Sequence, residues 1–265
     1  MARWGRAMPT LLKVGFAETL AYRAEFIIWM LTMTLPLVML GLWTSVASEG
    51  PFAGYQQADF VAYYLGAFIV RNLTGNWVVW QMNEEIRTGS LMQRLLKPIH
   101  PFVTYVATHI SAIPLRALVA LPLAVILLAT QGAGLLITDA PRIGLLLVAL
   151  LGTFVLTFCL LVTIGALGFF LERSLALVEV YLGIFAVFSG YLVPLDLFPA
   201  WLQNLAAHLP FRYMLAFPVE LLIGKLSFDQ ALVELAIQGL WVVIIGPLAL
   251  LVWSLGVRKF EAYGS

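Results

Sequence analysis

The length of the apolar runs constrains the fold of this chain more than any other feature. The longest run covers residues 143–193 and is cut near its middle by Glu172 and Arg173. One membrane crossing needs about 20 apolar residues, so this run is long enough for two crossings. The runs are continuous rather than alternating, which favours transmembrane helices over a transmembrane β-barrel.

Composition supports the same class. Apolar residues make up 62% and charged residues 11% of the 265 residues, whereas a soluble domain carries roughly 25% charged residues. The sequence therefore predicts an all-α polytopic membrane protein with a single transmembrane domain over residues 1–265. The one cysteine, Cys159, excludes an intrachain disulfide.

Six segments are apolar enough to serve as membrane spans. They are residues 26–46, 60–80, 102–130, 143–170, 175–193 and 231–257. Six spans place both termini on the same side of the membrane.

The distribution of basic residues predicts which side that is. The inner segments then carry ten of the fifteen Lys and Arg residues: Arg3, Arg6, Lys13, Arg23, Arg87, Arg94, Lys97, Arg173, Arg258 and Lys259. The outer segments carry only Arg142, Arg212 and Lys225. By the positive-inside rule, both termini and the segment between the second and third spans are cytoplasmic.

The N-terminal residues 1–24 have a different character. They combine Arg and Lys with apolar residues but contain no short apolar core followed by a cleavage site, so we do not expect them to be a cleaved signal peptide. The pattern predicts an amphipathic helix on the membrane surface, with Trp4 and Phe16 as interface anchors.

Residues 194–225 are too apolar for an ordinary loop and too rich in proline for a span. Pro199 suits the first turn of a short helix and Pro210 its end, with a second short helix from Phe211. We predict a re-entrant helical hairpin that enters from the outer side and returns. Its aromatic residues suit the outer interface: Trp201, Phe211, Tyr213 and Phe217. The alternative is a hairpin that rests on the lipid surface.

A short charged segment, NEEIRTGSLMQRLLKPIHP at residues 83–101, lies between the second and third spans. Asn83 is a favourable N-cap, acidic residues follow in the first turn, and Gly89 is a favourable helix stop. Ser90 then begins a second piece whose apolar residues are predicted to share one face: Leu91, Met92, Leu95 and Leu96. Proline at 98 and 101 ends it. On these residues alone, a partner-binding element and an interfacial loop are both possible.

Two motifs in this order resemble those of a known family. EIRTGSL at residues 85–91, with LLKPIHP at 95–101, resembles the first cytoplasmic loop of type-2 ABC transporter permeases. SGYLVPLDLFPAWLQNLAAHLPFRYML at residues 189–215 resembles the end of the fifth span and the re-entrant pair of the same family. The six-span count and the basic N-terminal helix agree, so the resemblance covers essentially the whole chain, within a poorly characterised bacterial branch.

The resemblance implies a subunit of an ATP-driven exporter in the bacterial inner membrane. It implies a second permease subunit, identical or related, and two cytoplasmic ATPase subunits. Residues 83–98 would form the coupling helix that contacts the ATPase through five residues: Glu84, Glu85, Arg87, Gly89 and Arg94. The N-terminal helix would add a second contact through Arg6 and Lys13.

Motifs for chemistry within this chain are missing. The sequence contains no G-x-x-x-x-G-K-[ST] phosphate loop, no H-E-x-x-H and no G-x-S-x-G. We therefore expect no enzyme activity, no cofactor and no metal in this chain, with ATP and Mg²⁺ bound by the partner ATPase. Nucleic acid is not an expected partner, whereas the lipid bilayer is.

Polar residues within the predicted spans are expensive and are normally paired or face a cavity. The candidates are Arg71, Asn72, Asn76, Arg116 and Glu179. One interpretation is structural pairing, for example of Arg71 or Arg116 with Glu179. The other is a polar lining of the export pathway.

Two other functions compete with the exporter. A secondary transporter or channel without an ATPase would be expected to repeat its broken helices in both halves, and a break appears only at residues 194–218. A membrane scaffold would leave Arg71 and Arg116 unexplained. The cargo itself is open: the apolar pathway favours an amphipathic or lipid-like substrate, while a sugar or peptide is not excluded.

Overall fold

A computed structural model describes residues 2–21, 34–131, 137, 139–171 and 174–263. These residues form α-helices, short 3₁₀ turns and connecting loops, as the sequence predicts for an all-α protein. In the first half the helices are α1 Ala2–Ala21, α2 Leu35–Val46, α3 Gln57–Thr74, α4 Val78–Arg87, α5 Leu91–Leu95, α6 Pro101–Ser111 and α7 Ile113–Gln131. In the second half they are α8 Ala140–Ala166, α9 Leu175–Phe188, α10 Ala200–Ala207, α11 Ala216–Leu222 and α12 Phe228–Tyr263.

Two helices are long and apolar enough to cross a membrane by length and composition. They are α8 with its 3₁₀ extension, Ala140–Phe169, and the greater part of α12, Phe228–Phe260. The two helices run parallel: Gln238 of α12 donates to the Ala149 carbonyl of α8 at 3.1 Å, and Trp253 packs on Phe169 at 5.6 Å between ring centroids. They match the predicted fourth and sixth spans, and the full count of six spans remains a prediction.

The predicted second and third spans are not single helices, so the prediction that a helix break occurs only at residues 194–218 is wrong. The second is interrupted at residues 75–77, between α3 and α4, and the third at Ala112, between α6 and α7. Gly75 lowers helix propensity at the first break. At the second break, Pro114 occupies the first turn of α7, where its missing N–H costs little.

The other predicted spans are covered in part. Residues 26–33 of the first span lie outside the described residues, and α2 covers the remainder. In the fifth span α9 ends at Phe188, because Gly190 adopts a positive φ of 81° and its carbonyl accepts a hydrogen bond of 2.9 Å from Tyr63. The cut at residues 172–173 lies outside the described residues.

The segment 194–225 contains two short helices, α10 and α11, joined through a 3₁₀ turn at Arg212–Met214. Its second half is deeply buried: Tyr213 is 1% and Phe217 is 0% exposed. The prediction that these two rings lie at the outer interface is therefore wrong, because α11 packs between α3 and α8. Trp201 on α10 is 68% exposed and fits the predicted interface position.

The N-terminal helix α1 packs along α6. Gly15 is buried against Ser111 and Thr108, where a side chain would collide with the Ser111 hydroxyl. The opposite face of α1 is exposed, including Phe16 and Leu20. A helix with one packed and one exposed apolar face agrees with the predicted amphipathic helix.

Candidate functional site: a helical elbow and an intramembrane polar cluster

The charged segment forms an elbow of two helices, which we call the coupling elbow and define as residues 83–100. α4 ends at Arg87, the chain turns at Gly89 with φ at 75°, and α5 follows from Leu91. The predicted stop at Gly89 is confirmed. The predicted N-cap at Asn83 is wrong, because α4 already begins at Val78, after the break at residue 75, and Asn83 lies within it, donating to Ser174 at 2.5 Å.

Glu85 links the helices of the coupling elbow, and we call its contacts with Arg94 and Tyr105 the brace. Its carboxylate accepts from Arg94 Nη2 at 2.5 Å and Arg94 Nε at 2.9 Å, and from the Tyr105 hydroxyl at 2.5 Å. Arg94 also donates to Thr104 at 2.8 Å and lies over the Tyr105 ring. Two-point carboxylate–guanidinium pairing is the strongest geometry for such a pair. The brace therefore ties α4, α5 and α6 into one unit.

The outer surface of the elbow is formed by different residues. Glu84 and Arg87 pair at 2.7 Å, with side chains 58% and 72% exposed. Leu96 is 84% and Met92 41% exposed. The predicted contact residues therefore separate into an exposed pair, Glu84 and Arg87, and a braced pair, Glu85 and Arg94, with Gly89 at the turn.

The four apolar residues at 91, 92, 95 and 96 were predicted to share one face, but they lie on two faces. Leu91 is fully buried, while Leu96 protrudes from the protein. Residues four apart share a helix face, so 91 and 95 point inward and 92 and 96 point outward. The two exposed apolar residues, Met92 and Leu96, were not among the predicted contacts.

The second predicted contact lies on α1. Lys13 is exposed there, and the side chain of Arg6 lies outside the described residues.

A buried polar cluster surrounds the break between α3 and α4, and we call it the intramembrane polar cluster because it lies in the predicted second and third spans. Arg116 of α7 is 5% exposed; its Nη1 donates to the Gly75 carbonyl and its Nη2 to the His109 carbonyl at 2.8 Å. These bonds satisfy backbone groups that the two helix breaks release. The Trp77 ring lies against both the His109 ring, at 4.6 Å, and the Arg116 guanidinium, at 5.4 Å.

Arg71 lies one turn before this break. Its guanidinium lies over the Phe185 ring at 4.8 Å and the Tyr191 ring at 5.4 Å, and aromatic faces attract cations. Glu179 is exposed on α9, and the hydrogen bonds that the structure describes for Arg116 go to backbone carbonyls rather than to Glu179. The predicted pairing of Arg116 with Glu179 is therefore wrong, and the pairing of Arg71 with Glu179 stays a prediction.

The structure adds His109 to the predicted cluster. Asn72 and Asn76 are 1% and 4% exposed, and His109 is 0% exposed. Sequence analysis missed His109 because a single histidine in an apolar helix carries no motif. Its spacing of seven residues from Arg116, two turns of helix, was the one signal that could have placed the two together.

Two further clusters lie near the segment 194–225. Arg212 holds two carboxylates, Glu220 at 2.9 Å and Glu234 at 3.1 Å. Lys225 pairs with Asp196 and donates to the Tyr55 hydroxyl at 2.6 Å. Sequence analysis treated the outer charges only as topology markers, because the partners lie far apart in sequence.

Apolar helices of spanning length, a braced elbow and polar groups beside helix breaks are together typical of an α-helical membrane transport protein. No group of three His, Cys, Asp or Glu suited to a metal occurs among the described residues. A family model described as ABC-2 family transporter protein matches residues 28–264, and the chain belongs to this family. The match confirms the resemblance to type-2 ABC permeases. A comparison with curated proteins found no match.

Membership in this family establishes the general role of the chain. Permeases of this family are membrane components rather than catalytic subunits, and they work with ATPase subunits as ABC transporters.

Proposed function

We propose that this chain is the permease subunit of an ATP-driven exporter in a bacterial inner membrane. It forms half of the translocation pathway, and a second permease, identical or related, forms the other half. Two copies of a separate cytoplasmic ATPase bind ATP and Mg²⁺ and drive transport. Both termini and the coupling elbow face the cytoplasm.

The observation that carries this proposal is the construction of the coupling elbow. Its tip presents a charged pair and two exposed apolar side chains, Met92 and Leu96. Beneath the tip, the Glu85–Arg94 brace fastens α4 and α5 to α6. A surface that receives force must be exposed, and the element that transmits it must be stiff; the elbow has both properties.

The path from the elbow into the membrane also supports the proposal. α4 runs from the elbow directly to the break at residues 75–77, where Arg116 holds the Gly75 carbonyl. Helix breaks are positions where packed elements change their relative angle. A displacement of the elbow would therefore act on the intramembrane polar cluster through a single ten-residue helix.

Affinity purification from mild detergent tests the complex. We expect an ABC ATPase to co-purify in a fixed ratio and to hydrolyse ATP in the complex. A purified chain that transports cargo in liposomes without any ATPase would instead identify a secondary transporter or channel.

The coupling role is tested by reversing the exposed pair, Glu84→Lys with Arg87→Glu, together with Leu96→Ser. We expect ATPase binding to weaken at least tenfold while the permease stays folded, because interface residues near the centre of a contact carry most of its energy. The control is Asp139→Asn with Arg142→Glu, which alters a pair of the same three-residue spacing at the other end of the protein and keeps a cap acceptor for α8; its side chains are less exposed, at 42% and 35%. Equal loss in both variants would contradict a docking role for the elbow. Glu85 is left unchanged because its substitution would disturb the brace.

A further inference from the structure

The intramembrane polar cluster contains buried polar atoms that no described residue bonds. They include both side-chain polar atoms of Asn76, both ring nitrogens of His109 and Nε of Arg116. All three side chains are at most 5% exposed. Buried polar atoms in proteins are bonded in about nine cases of ten, so a concentration of unbonded ones calls for an explanation.

Backbone and ring contacts join the segments that carry these atoms. Arg116 bonds the carbonyl of Gly75, the neighbour of Asn76, and also the carbonyl of His109. Trp77 touches both His109 and Arg116 through its ring. The helix break, the start of α7 and the end of α6 therefore converge on a single buried site.

The site carries a positive charge and several free hydrogen-bond donors. Arg116 carries a full positive charge, and among the described residues both of its hydrogen bonds go to neutral backbone carbonyls. Its Nε–H, the Asn76 amide N–H groups and one N–H of a neutral His109 remain as donors, while Asn76 Oδ1 and the second His109 nitrogen remain as acceptors. The positive charge and the three donor atoms match an acceptor-rich anionic group, as a carboxylate or phosphate is.

The surroundings are apolar. The Phe158 and His109 ring centroids lie 6.4 Å apart. The half-buried Trp77 is more exposed than Arg116, Asn76 and His109, and its ring, which lies against Arg116 and His109, covers the cluster. Burial against these apolar side chains would not stabilise a bound inorganic anion, whereas it would stabilise a ligand that carries an alkyl chain.

We propose that this cluster binds the acidic headgroup of an amphiphilic cargo, with Arg116, Asn76 and His109 as its donors and Trp77 as its cover. The identification of the ligand as cargo rests on the proposed function. The site itself is a property of this chain alone.

Direct binding to the purified permease tests the site without any ATPase. The protein is placed in nanodiscs of neutral phosphatidylcholine and titrated with decanoate, acetate or decyltrimethylammonium. Tryptophan fluorescence and the thermal unfolding midpoint report binding. We expect saturable binding of decanoate, at least tenfold weaker binding of acetate and no saturable binding of decyltrimethylammonium.

Asn76→Ala is the decisive variant. In the described structure the Asn76 side chain makes no hydrogen bond, so its removal should leave the thermal midpoint of the unliganded protein unchanged or higher. We expect its affinity for decanoate to fall about tenfold, because a hydrogen bond to a charged group is lost. Arg142→Gln, which removes a half-buried cation at the start of α8, distant from the cluster, is the control and should bind like the unaltered protein.

Three results would overturn the proposal. Unchanged decanoate affinity in Asn76→Ala and His109→Phe would leave the cluster as a site for buried water only. Equal affinity for acetate would identify a small-anion site, and equal affinity for decyltrimethylammonium would identify unspecific partitioning. Since the ATPase is absent from this assay, failure to find an ATPase partner would not affect its outcome.

Discussion

At the scale of the residue, two adjacent glutamates have opposite roles. Glu85 faces α6 and binds Arg94 and Tyr105, while Glu84 faces outward and pairs with Arg87. A rotation of about 100° per residue along α4 separates them. The sequence predicted a charged helical segment here, but it could not assign the two carboxylates, because the partners of Glu85 come from other helices.

We predict that Glu85→Gln destabilises the permease by about 2 kcal/mol, since it leaves the partly buried Arg94 without its counter-charge. Glu84→Gln should cost less than about 0.5 kcal/mol, because exposed pairs contribute little. Thermal unfolding in detergent measures both. Equal effects of the two variants would show that the brace is not a structural element.

His100 supplies the cap of α6. Its Nδ1 accepts from the Phe102 N–H at 3.2 Å, and burial lowers the pKa of His100 below its usual value. Since the folded pKa lies below the unfolded one, the stabilising contribution is present above about pH 6.5 and is lost as pH falls through the folded pKa. We predict that His100→Asn, which keeps a cap acceptor, reduces the loss of thermal stability between pH 8 and pH 5.

His100→Leu should instead lower stability by about 1 kcal/mol at pH 8, because the cap is removed. If His100→Asn shows the same acid sensitivity as the unaltered protein, other groups govern that pH range. Unfolding midpoints at the two pH values distinguish the cases.

At the scale of the element, the segment 194–225 shows what sequence pattern can and cannot establish. Proline spacing located a short helix between Pro199 and Pro210, and α10 occupies it. Aromatic content placed Tyr213 and Phe217 at the membrane interface, yet both are buried in the core. Aromatic residues suit both environments, and only the packing of α11 between α3 and α8 decides between them.

The Arg212 cluster fastens this segment to α12. Nη2 of this one guanidinium donates to both the buried Glu220 of α11 and the half-buried Glu234 of α12. We predict that Arg212→Gln costs about 3 kcal/mol, because it leaves two neighbouring carboxylates without a counter-charge. Glu234→Gln should cost clearly less. Thermal unfolding, with proteolysis at exposed Lys225 as a local probe, would measure the release of the segment; equal costs would argue against a shared guanidinium.

At the scale of the whole molecule, composition and charge bias predicted a helical membrane protein, and the family match supports it. Span boundaries were less predictable, because the breaks at residues 75–77 and 112 lie inside apolar runs. Hydropathy registers the apolar length of a run but not its backbone continuity. The polar residues beside the breaks were recognised, while the carbonyls that Arg116 satisfies were not.

The predicted orientation is testable through cysteine accessibility. After Cys159→Ser, single cysteines are introduced as Ser90→Cys in the elbow and Ser48→Cys in the loop after α2; both positions are exposed. In intact bacterial cells with a permeable outer membrane, we expect a membrane-impermeant maleimide to label position 48 at once. Position 90 should react only after the inner membrane is opened. The reverse pattern would invert the topology.

The parallel pair α8 and α12 has a consequence for the surrounding lipid. At about 1.5 Å per residue, the full helix lengths of 30 and 33 residues, charged ends included, correspond to roughly 45 and 50 Å, compared with about 30 Å of hydrocarbon. Because the two helices run side by side in the same direction, they must tilt together, protrude together or locally thicken the bilayer. The acyl-chain length of the lipids in reconstituted vesicles therefore sets the mismatch between helix length and bilayer thickness. Short-chain lipids would impose the largest mismatch on both helices at once.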